Sequence, residues 1–431
     1  MKAPVPESRL ARAGIAGATA FKIGIGELRH KAKRPFMSAQ ESVAEKALLD
    51  DKHAQLLFNA LTQLRGTALK LAQMLGMELD ILPEKYRKEL EKSFHKVPPL
   101  NRVLVRKVIQ EEFGQTPDAL FKQFDANAFA AASLGQVHAA TLSNGAAVAV
   151  KIQYPGIHIA MESDMSLMRK MAVGMPNSTI VKQSIDEVHS RLKEEVDYRL
   201  EAESTQWFRD NLTVDGVTVP RIYSNYCSER VLTIEFCQGK HLDDWLAGNP
   251  SQALRNQVAQ RLYDLFVHSV LNLRRMHADP NPGNYLFQEN GEIALIDFGC
   301  VKQLSAQFTE VLPKLLKAYQ DDDPIALLAA YKALGMEYAA EDVYEQVLRP
   351  FGQWLTQPVH EETFDFAKNN DYTRQGKALI QRVANLSGVN SLAEDFIFFD
   401  RTLYGLMKIF ERMGATVRMR QHWERLTQQP G

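Results

Sequence analysis

The chain has 431 residues, 45% of them hydrophobic, which leaves room for a sizeable core in two or three compact units, or in one bilobal domain with an extension. Lys and Arg number 51 against 52 Asp and Glu, and this near-balance without an aromatic-interleaved basic stripe argues against a general nucleic-acid binder. Cys227, Cys237 and Cys300 lack metal-ligand spacing and form an odd set, no apolar run reaches the length of a membrane span, and no secretory core is evident, so a reducing cytoplasm is expected.

Residues 1–35 contain a small, apolar stretch from Ala13 to Gly26, interrupted by Lys22 and flanked by Arg9, Arg12, Arg29, Lys31, Lys33 and Arg34. It is too short and polar to span a bilayer. Two readings stay open: contact with an anionic membrane surface, where each basic flank adds about 1 kcal/mol, or a tail or helix packed on the body. The first reading puts the protein at the inner face of the membrane as a peripheral protein. Residues 36–115 read as a helical extension, in which Leu57, Leu61, Leu64, Ala68, Leu71 and Leu75 keep a helical period. Lys70 and Gln73, three apart, emerge on one face of it.

Residues 116–239 change period at Phe129. Ala130, Ala131, Ala132 and Ser133 form a loop of tiny residues between two strands, and a third strand, Ala147 to Val150, ends on Lys151. Small side chains let backbone approach phosphates, and Lys151 can reach them as a point charge. Alanine resists positive φ where glycine accepts it, so this lid is stiffer than a glycine-rich one. A capping box at Ser184 to Glu187 opens a predicted continuous helix bearing Glu195, Asp197 and Glu201, the last two on neighbouring positions as acidic partners for a lysine. The strand Val231 to Phe236 then runs into Cys237-Gln238-Gly239-Lys240, a hinge whose backbone at Ile234, Glu235, Phe236 and Cys237 suits an adenine.

Residues 240–431 read as mostly helical. A long helix, Leu254 to Met276, is predicted to lead into His277-Ala278-Asp279-Pro280-Asn281-Pro282-Gly283-Asn284, and a hairpin around Asn290-Gly291 returns the chain to Asp297-Phe298-Gly299. Phosphoryl transfer needs a carboxylate to orient the attacking hydroxyl, plus a carboxamide and a second carboxylate to hold magnesium. Asp279, Asn284 and Asp297 supply the three. Helices follow from Ser305, with breaks at Asp323-Pro324, Gln357-Pro358 and Leu386 to Asn390. The long polar loop and Ala-Pro-Glu with which ordinary protein kinases dock peptides are missing, which counts against a conventional peptide substrate.

These motifs together resemble the UbiB, or aarF-type, family of atypical kinase-like proteins over about residues 50 to 410, closest to its mitochondrial ubiquinone-biosynthesis branch. The resemblance rests on Ala130 to Ser133 followed by Gly135-Gln136-Val137-His138, on Lys151-Ile152-Gln153-Tyr154-Pro155-Gly156, on Glu195-Val196-Asp197 and on Asp279-Pro280-Asn281. It implies an α+β, bilobal protein-kinase-like fold with a helical N-terminal extension and a largely helical C-lobe. It further implies ATP or ADP and Mg2+ as ligands, Lys151 on the α and β phosphates paired with Glu201, Ser133 on nucleotide, Asp279 as catalytic carboxylate, and Asn284 and Asp297 on magnesium. In the family a Lys-x-Gly-Gln helix covers the active site and meets the Glu-x-Asp acids; here it reads Lys70-Leu71-Ala72-Gln73, with alanine in place of glycine.

The function so implied is an ATPase or phosphotransferase supporting ubiquinone or related quinone-lipid synthesis, with quinone-biosynthesis proteins or lipids as partners. Two alternatives stand beside it. His-x-Asp with a following Pro and Asn also suits small-molecule kinases of the aminoglycoside phosphotransferase type, against which the alanine loop and the Lys70/Gln73 helix argue. The other is a nucleotide-gated scaffold that handles lipid or partner enzymes without phosphorylating anything.

Overall fold

A computed structural model describes residues 102–132, 134–158, 195–335, 343–384 and 394–422, with scattered positions elsewhere. The chain divides into two compact units, residues 1–200 with 223–235, and residues 201–222 with 236–431. Among the described residues no helix is long and apolar enough to cross a membrane.

In the first unit, helix α1 (Arg102–Phe113) buries Val105, Val108 and Ile109, which share one face at helical spacing. Strands β1 (Gln123–Ala131), β2 (Gly135–Thr141) and β3 (Ala147–Gln153) follow. The β2–β3 turn uses Gly145 at φ 87°, and the Asn144 side chain accepts from Ala146 N at 3.0 Å. Val148, Val150 and Ile152 alternate into a core with the α1 residues and Phe121. β1 starts six residues before the predicted change of period at Phe129, because its alternation is only between exposed and half-buried positions and carries little apolar signal.

The predicted continuous acidic helix is interrupted. Glu195 is helical, Val196 lies in a turn and Asp197 in neither helix nor strand, and helix α2 (Tyr198–Asn211) begins anew. The reason is local: Asp197 turns back to accept from Arg199 N at 3.0 Å, a side-chain-to-backbone bond of the kind that starts helices. After β4 (Val217–Thr218), strand β5 (Val231–Glu235) returns to the first unit and closes a sheet of order β1-β2-β3-β5, antiparallel throughout.

In the second unit, helix α3 (Gln252–Leu271) is capped by Ser251, which accepts from Leu254 N, and buries Val258, Leu262, Leu265, Phe266 and Val270. It stops at Leu271, five residues short of the predicted end at Met276. Arg274 takes φ 50° and Arg275–His277 becomes strand β6. The hairpin of β7 (Tyr285–Phe287) and β8 (Ile293–Leu295) turns at Gly291, φ 84°, and β4 joins β8 in parallel. Strand β9 (Val301–Gln303), too short to announce itself by periodicity, pairs with β6. Helix α4 (Ala306–Asp321) starts on Ser305 as cap, and the break at Asp322-Asp323 precedes α5 (Pro324–Ala333), where Asp323 caps Ile325 N and Ala326 N at 3.0 Å. Helices α6 (Arg349–Thr356), α7 (Tyr372–Ala384) and α8 (Glu394–Met413) complete a core rich in aromatic rings.

Candidate functional site

Two short ladders build the loops that carry Asp279, Asn284 and Asp297. β6 ends at His277 opposite Val301 at the start of β9, and β7 starts at Tyr285 opposite Leu295 at the end of β8. Residues 278–284 and 296–300 therefore leave paired strands and return to paired strands, so both loops have fixed ends. Each ladder extends by one bond into the loops, Ala278 N to Cys300 O at 2.9 Å and Ile296 N to Asn284 O at 3.0 Å. His277, the last residue of β6, donates through Nε2–H to Asp297 O in the second loop at 2.7 Å.

Asn284 is 7% exposed, and its Nδ2 donates to Asp279 Oδ2 at 3.0 Å and Asp279 O at 3.1 Å. Both bonds use the Asn284 N–H groups, so neither engages Asn284 Oδ1. Asp279 is half-buried, and burial together with the Asp279 charge pushes the Tyr285 phenol upward. Asp297 is half-buried and accepts from Gly299 N through Oδ1 at 3.0 Å. Among the described residues no group of three His, Cys, Asp or Glu side chains gathers as a metal site. The donor set of Asn284 and Asp297 is all oxygen and supplies two protein groups, which fits Mg2+, an ion that keeps waters and binds phosphates alongside one or two protein ligands.

Lys151 lies on β3 opposite Val137 and Leu232, half-buried, with Nζ 5.0 Å from the centre of the Tyr198 ring. Ala130 and Ala131 are the last residues of β1, paired with Val137 and Gln136, and Ala132 N donates to Gly135 O at 3.0 Å. A side chain at Gly135 would run into the Ile152 carbonyl, so only glycine fits after this turn. Ser133, Lys70 and Gln73 lie outside the described residues. Ile234 and Glu235 end β5 opposite Ala149 and Val148, with half-buried Phe236 and Cys237 following. Cys227, Cys237 and Cys300 form no disulfide.

Glu195 is half-buried. Asp197 meets Arg199 as a fork, accepting from Nε at 2.9 Å and Nη2 at 2.7 Å, and these bonds hold its carboxyl below the usual range. Glu201, in the first turn of α2, is 5% exposed. Sequence reasoning did not find Arg199 as partner of Asp197, nor Gly405 of α8, where a methyl group would collide with Pro280 beside Asp279. A motif search has no signal for either, whereas His277, two residues before Asp279, was legible as part of the loop.

A family profile described as the ABC1 atypical kinase-like domain matches residues 92–329. The chain is 32% identical over 327 residues to the atypical kinase COQ8B, mitochondrial, of Rattus norvegicus, across 74% of this chain and 61% of that one. It is 28% identical over 433 residues to the atypical kinase coq-8, mitochondrial, of Caenorhabditis elegans, across 96% of this chain and 56% of that one. The chain thus spans 56% to 61% of the length of these two relatives. The structure of Rv3197 from Mycobacterium tuberculosis, solved with erythromycin, shares the fold with a TM-score of 0.62 at 24% identity, over 91% of this chain and 100% of that one. The fold is α+β and kinase-like, and the chain belongs to the ABC1 family of atypical kinase-like proteins, also called UbiB.

Proposed function

We propose that the chain is an ATP-dependent phosphotransferase or ATPase that supports synthesis of ubiquinone or a related quinone lipid, acting as a peripheral protein at a membrane surface. The observation that carries the reading is the Asn284 amide held 3.0 Å from Asp279 Oδ2 on a loop that His277 ties to Asp297. In this reading Asp279 orients the acceptor hydroxyl and takes its proton, and Asn284 fixes that carboxylate while offering Oδ1 to a cation. Asp297 offers carboxylate oxygen to the same cation, and Lys151 contributes positive charge for phosphate oxygens. Mg2+, when bound, supplies neutralisation of the phosphate charge. Ala130 to Ser133 contact nucleotide through backbone, Ile234 to Cys237 line the adenine, and Glu201 serves as the acid that fixes the lysine.

The quinone assignment is supported by family membership and by likeness to relatives named as mitochondrial atypical kinases. In the same reading Lys70 and Gln73 engage Glu195 and Asp197 as a regulatory cover, so Lys70→Ala or Gln73→Ala should change nucleotide preference or release autophosphorylation. The deciding experiment is phosphate release from ATP with and without anionic liposomes, followed by mass spectrometry of protein and lipid for a phosphorylated product. Asp279→Asn should slow turnover while nucleotide still binds, and Asp297→Asn should weaken binding of the magnesium nucleotide. Equal binding and turnover in both variants would refute the assignment.

A further inference from the structure

The segment Gly135-Gln136-Val137-His138 follows the alanine-rich turn, and none of the roles above uses its polar side chains. Gln136 is 1% exposed and His138 0%. Across the sheet Gln136 faces Ile152 and His138 faces Val150, both core residues, while Val137 faces Lys151. Successive side chains of a strand point to opposite faces, so the Gln136–His138 pair lies beneath the sheet, on the side opposite Lys151. Two polar side chains in an apolar core are costly unless fully bonded.

Their partners explain them. His138 Nδ1 lies 2.8 Å from Asp125 O and Nε2 lies 2.7 Å from Gln136 Nε2. A carbonyl can only accept, so Nδ1 carries the hydrogen, and the bare Nε2 then accepts from the Gln136 amide. Burial holds the imidazole below its usual range, which keeps it in this neutral form. Asp125 stands where β1 bulges. From Phe124 to Ala128 the partner strand moves only from Ala140 to His138, and from Ala128 to Ala130 only from His138 to Val137. A bulge leaves backbone groups outside the ladder. The imidazole caps one of them, the Asp125 carbonyl, and Asp125 Oδ1 accepts from Asn127 N at 2.9 Å within the same bulge. The Phe124 ring stacks on His138 with centres 5.1 Å apart.

We propose that His138, oriented by Gln136, is a positioning residue for the nucleotide-contacting backbone of Ala130 to Ala132, because it pins the bulge that sets the register in which β1 delivers that backbone. A slip of one residue in β1 would exchange the faces of Ala130 and Ala131. The inference rests on the reading of that segment as a phosphate contact, and the test separates the two.

Full-length His138→Asn, His138→Gln, His138→Leu and Gln136→Met are compared with the native chain. Asparagine places an amide donor where Nδ1 stands and still caps the Asp125 carbonyl. Glutamine reaches only the Nε2 position, and leucine fills volume with neither bond. Hydrogen exchange without nucleotide should show residues 124–131 opening about tenfold faster in the Gln and Leu variants, near-native protection in the Asn variant, and residues 147–153 unchanged in all. Dissociation constants for MgATP and MgADP should rise about tenfold for Gln and Leu, which is about 1.4 kcal/mol, and stay within about threefold of native for Asn. Gln136→Met should fall between, since it frees the ring without removing the cap. Equal effects of Asn, Gln and Leu, tracking only the melting temperature, would overturn the proposal, as would native exchange in the Leu variant. A native chain that binds neither nucleotide would overturn the phosphate contact together with this inference's second half, while the exchange measurement still reads the pin by itself.

Discussion

Asn284→Asp is the most discriminating change at the catalytic loop, because it keeps the side-chain shape and an oxygen for a cation while reversing the group that faces Asp279. In the native protein the amide donates to Asp279 Oδ2 at 3.0 Å and to Asp279 O at 3.1 Å, with Asn284 nearly out of solvent. The variant sets a second carboxylate against the first. At an effective dielectric of about 20, two unit charges at that separation repel by about 5 kcal/mol. Asp279 is half-buried, so water screens much of this, and with the lost hydrogen bonds the net cost should be about 2–4 kcal/mol. At about 2–4 °C per kcal/mol for a unit of this size, melting should fall by roughly 5–15 °C without divalent cation. Millimolar Mg2+ should recover most of the loss, since a cation between two carboxylates removes the repulsion. Asn284→Ala brings no charge, so it should destabilise less and gain nothing from Mg2+. The assay is thermal unfolding of native, Asp and Ala proteins with and without Mg2+. An Asp variant that melts with the native protein, or an Ala variant rescued equally well by Mg2+, would refute both the hydrogen-bond and the cation assignments.

Gly405→Ala places a methyl group against Pro280, so it should cost about 1–3 kcal/mol and lower turnover more than nucleotide affinity; unchanged melting and turnover would show that α8 does not hold the loop. Asp400, on α8, has its carboxyl pushed up to about 7 by burial. The unfolded chain releases that proton near pH 4 and the folded chain keeps it to about 7, so stability falls as pH rises across that window and stays flat above it, by about 4 kcal/mol if burial were complete. Asp400 keeps some solvent contact, so Asp400→Asn should stabilise by about 1–3 kcal/mol at pH 8 and negligibly at pH 4; a pH-independent gain in melting temperature would count against the buried acid. Arg199→Ala should let the Asp197 carboxyl titrate nearer its ordinary range, which carbon-detected NMR can follow. The native pair contributes stability above the unfolded carboxyl range and loses it as pH falls, but it is solvent-screened, so melting at pH 7 should move by no more than the change typical of a surface pair, within about 1 kcal/mol.

Much of the molecule was legible in the residues because the governing interactions are short-range. Asn144-Gly145 and Asn290-Gly291 dictate turns by their own backbone preferences, and Ser305 and Asp323-Pro324 start helices by capping amides two or three residues away. Asp279, Asn284 and Asp297 fall close together in the chain, with a tight hairpin between the last two, so the joining of the loops that carry them follows from local geometry. The three-residue strands β6 and β9 are too brief for periodicity to register, and β1 has no buried face to mark it.

What only the tertiary structure decided involves partners far apart in the chain or choices between equal local options. Asp197 had several basic residues within reach in sequence, and the turn at Val196 gave it Arg199. Gly405 meets Pro280 across more than a hundred residues, and the His138 ring reaches a carbonyl on another strand because β1 bulges there. Sequence thus determined which chemical groups exist and which turns present them, since those depend on a residue and its near neighbours. Packing decided register, rotamer and pairing, since these minimise the free energy of groups that the chain brings together only when it folds.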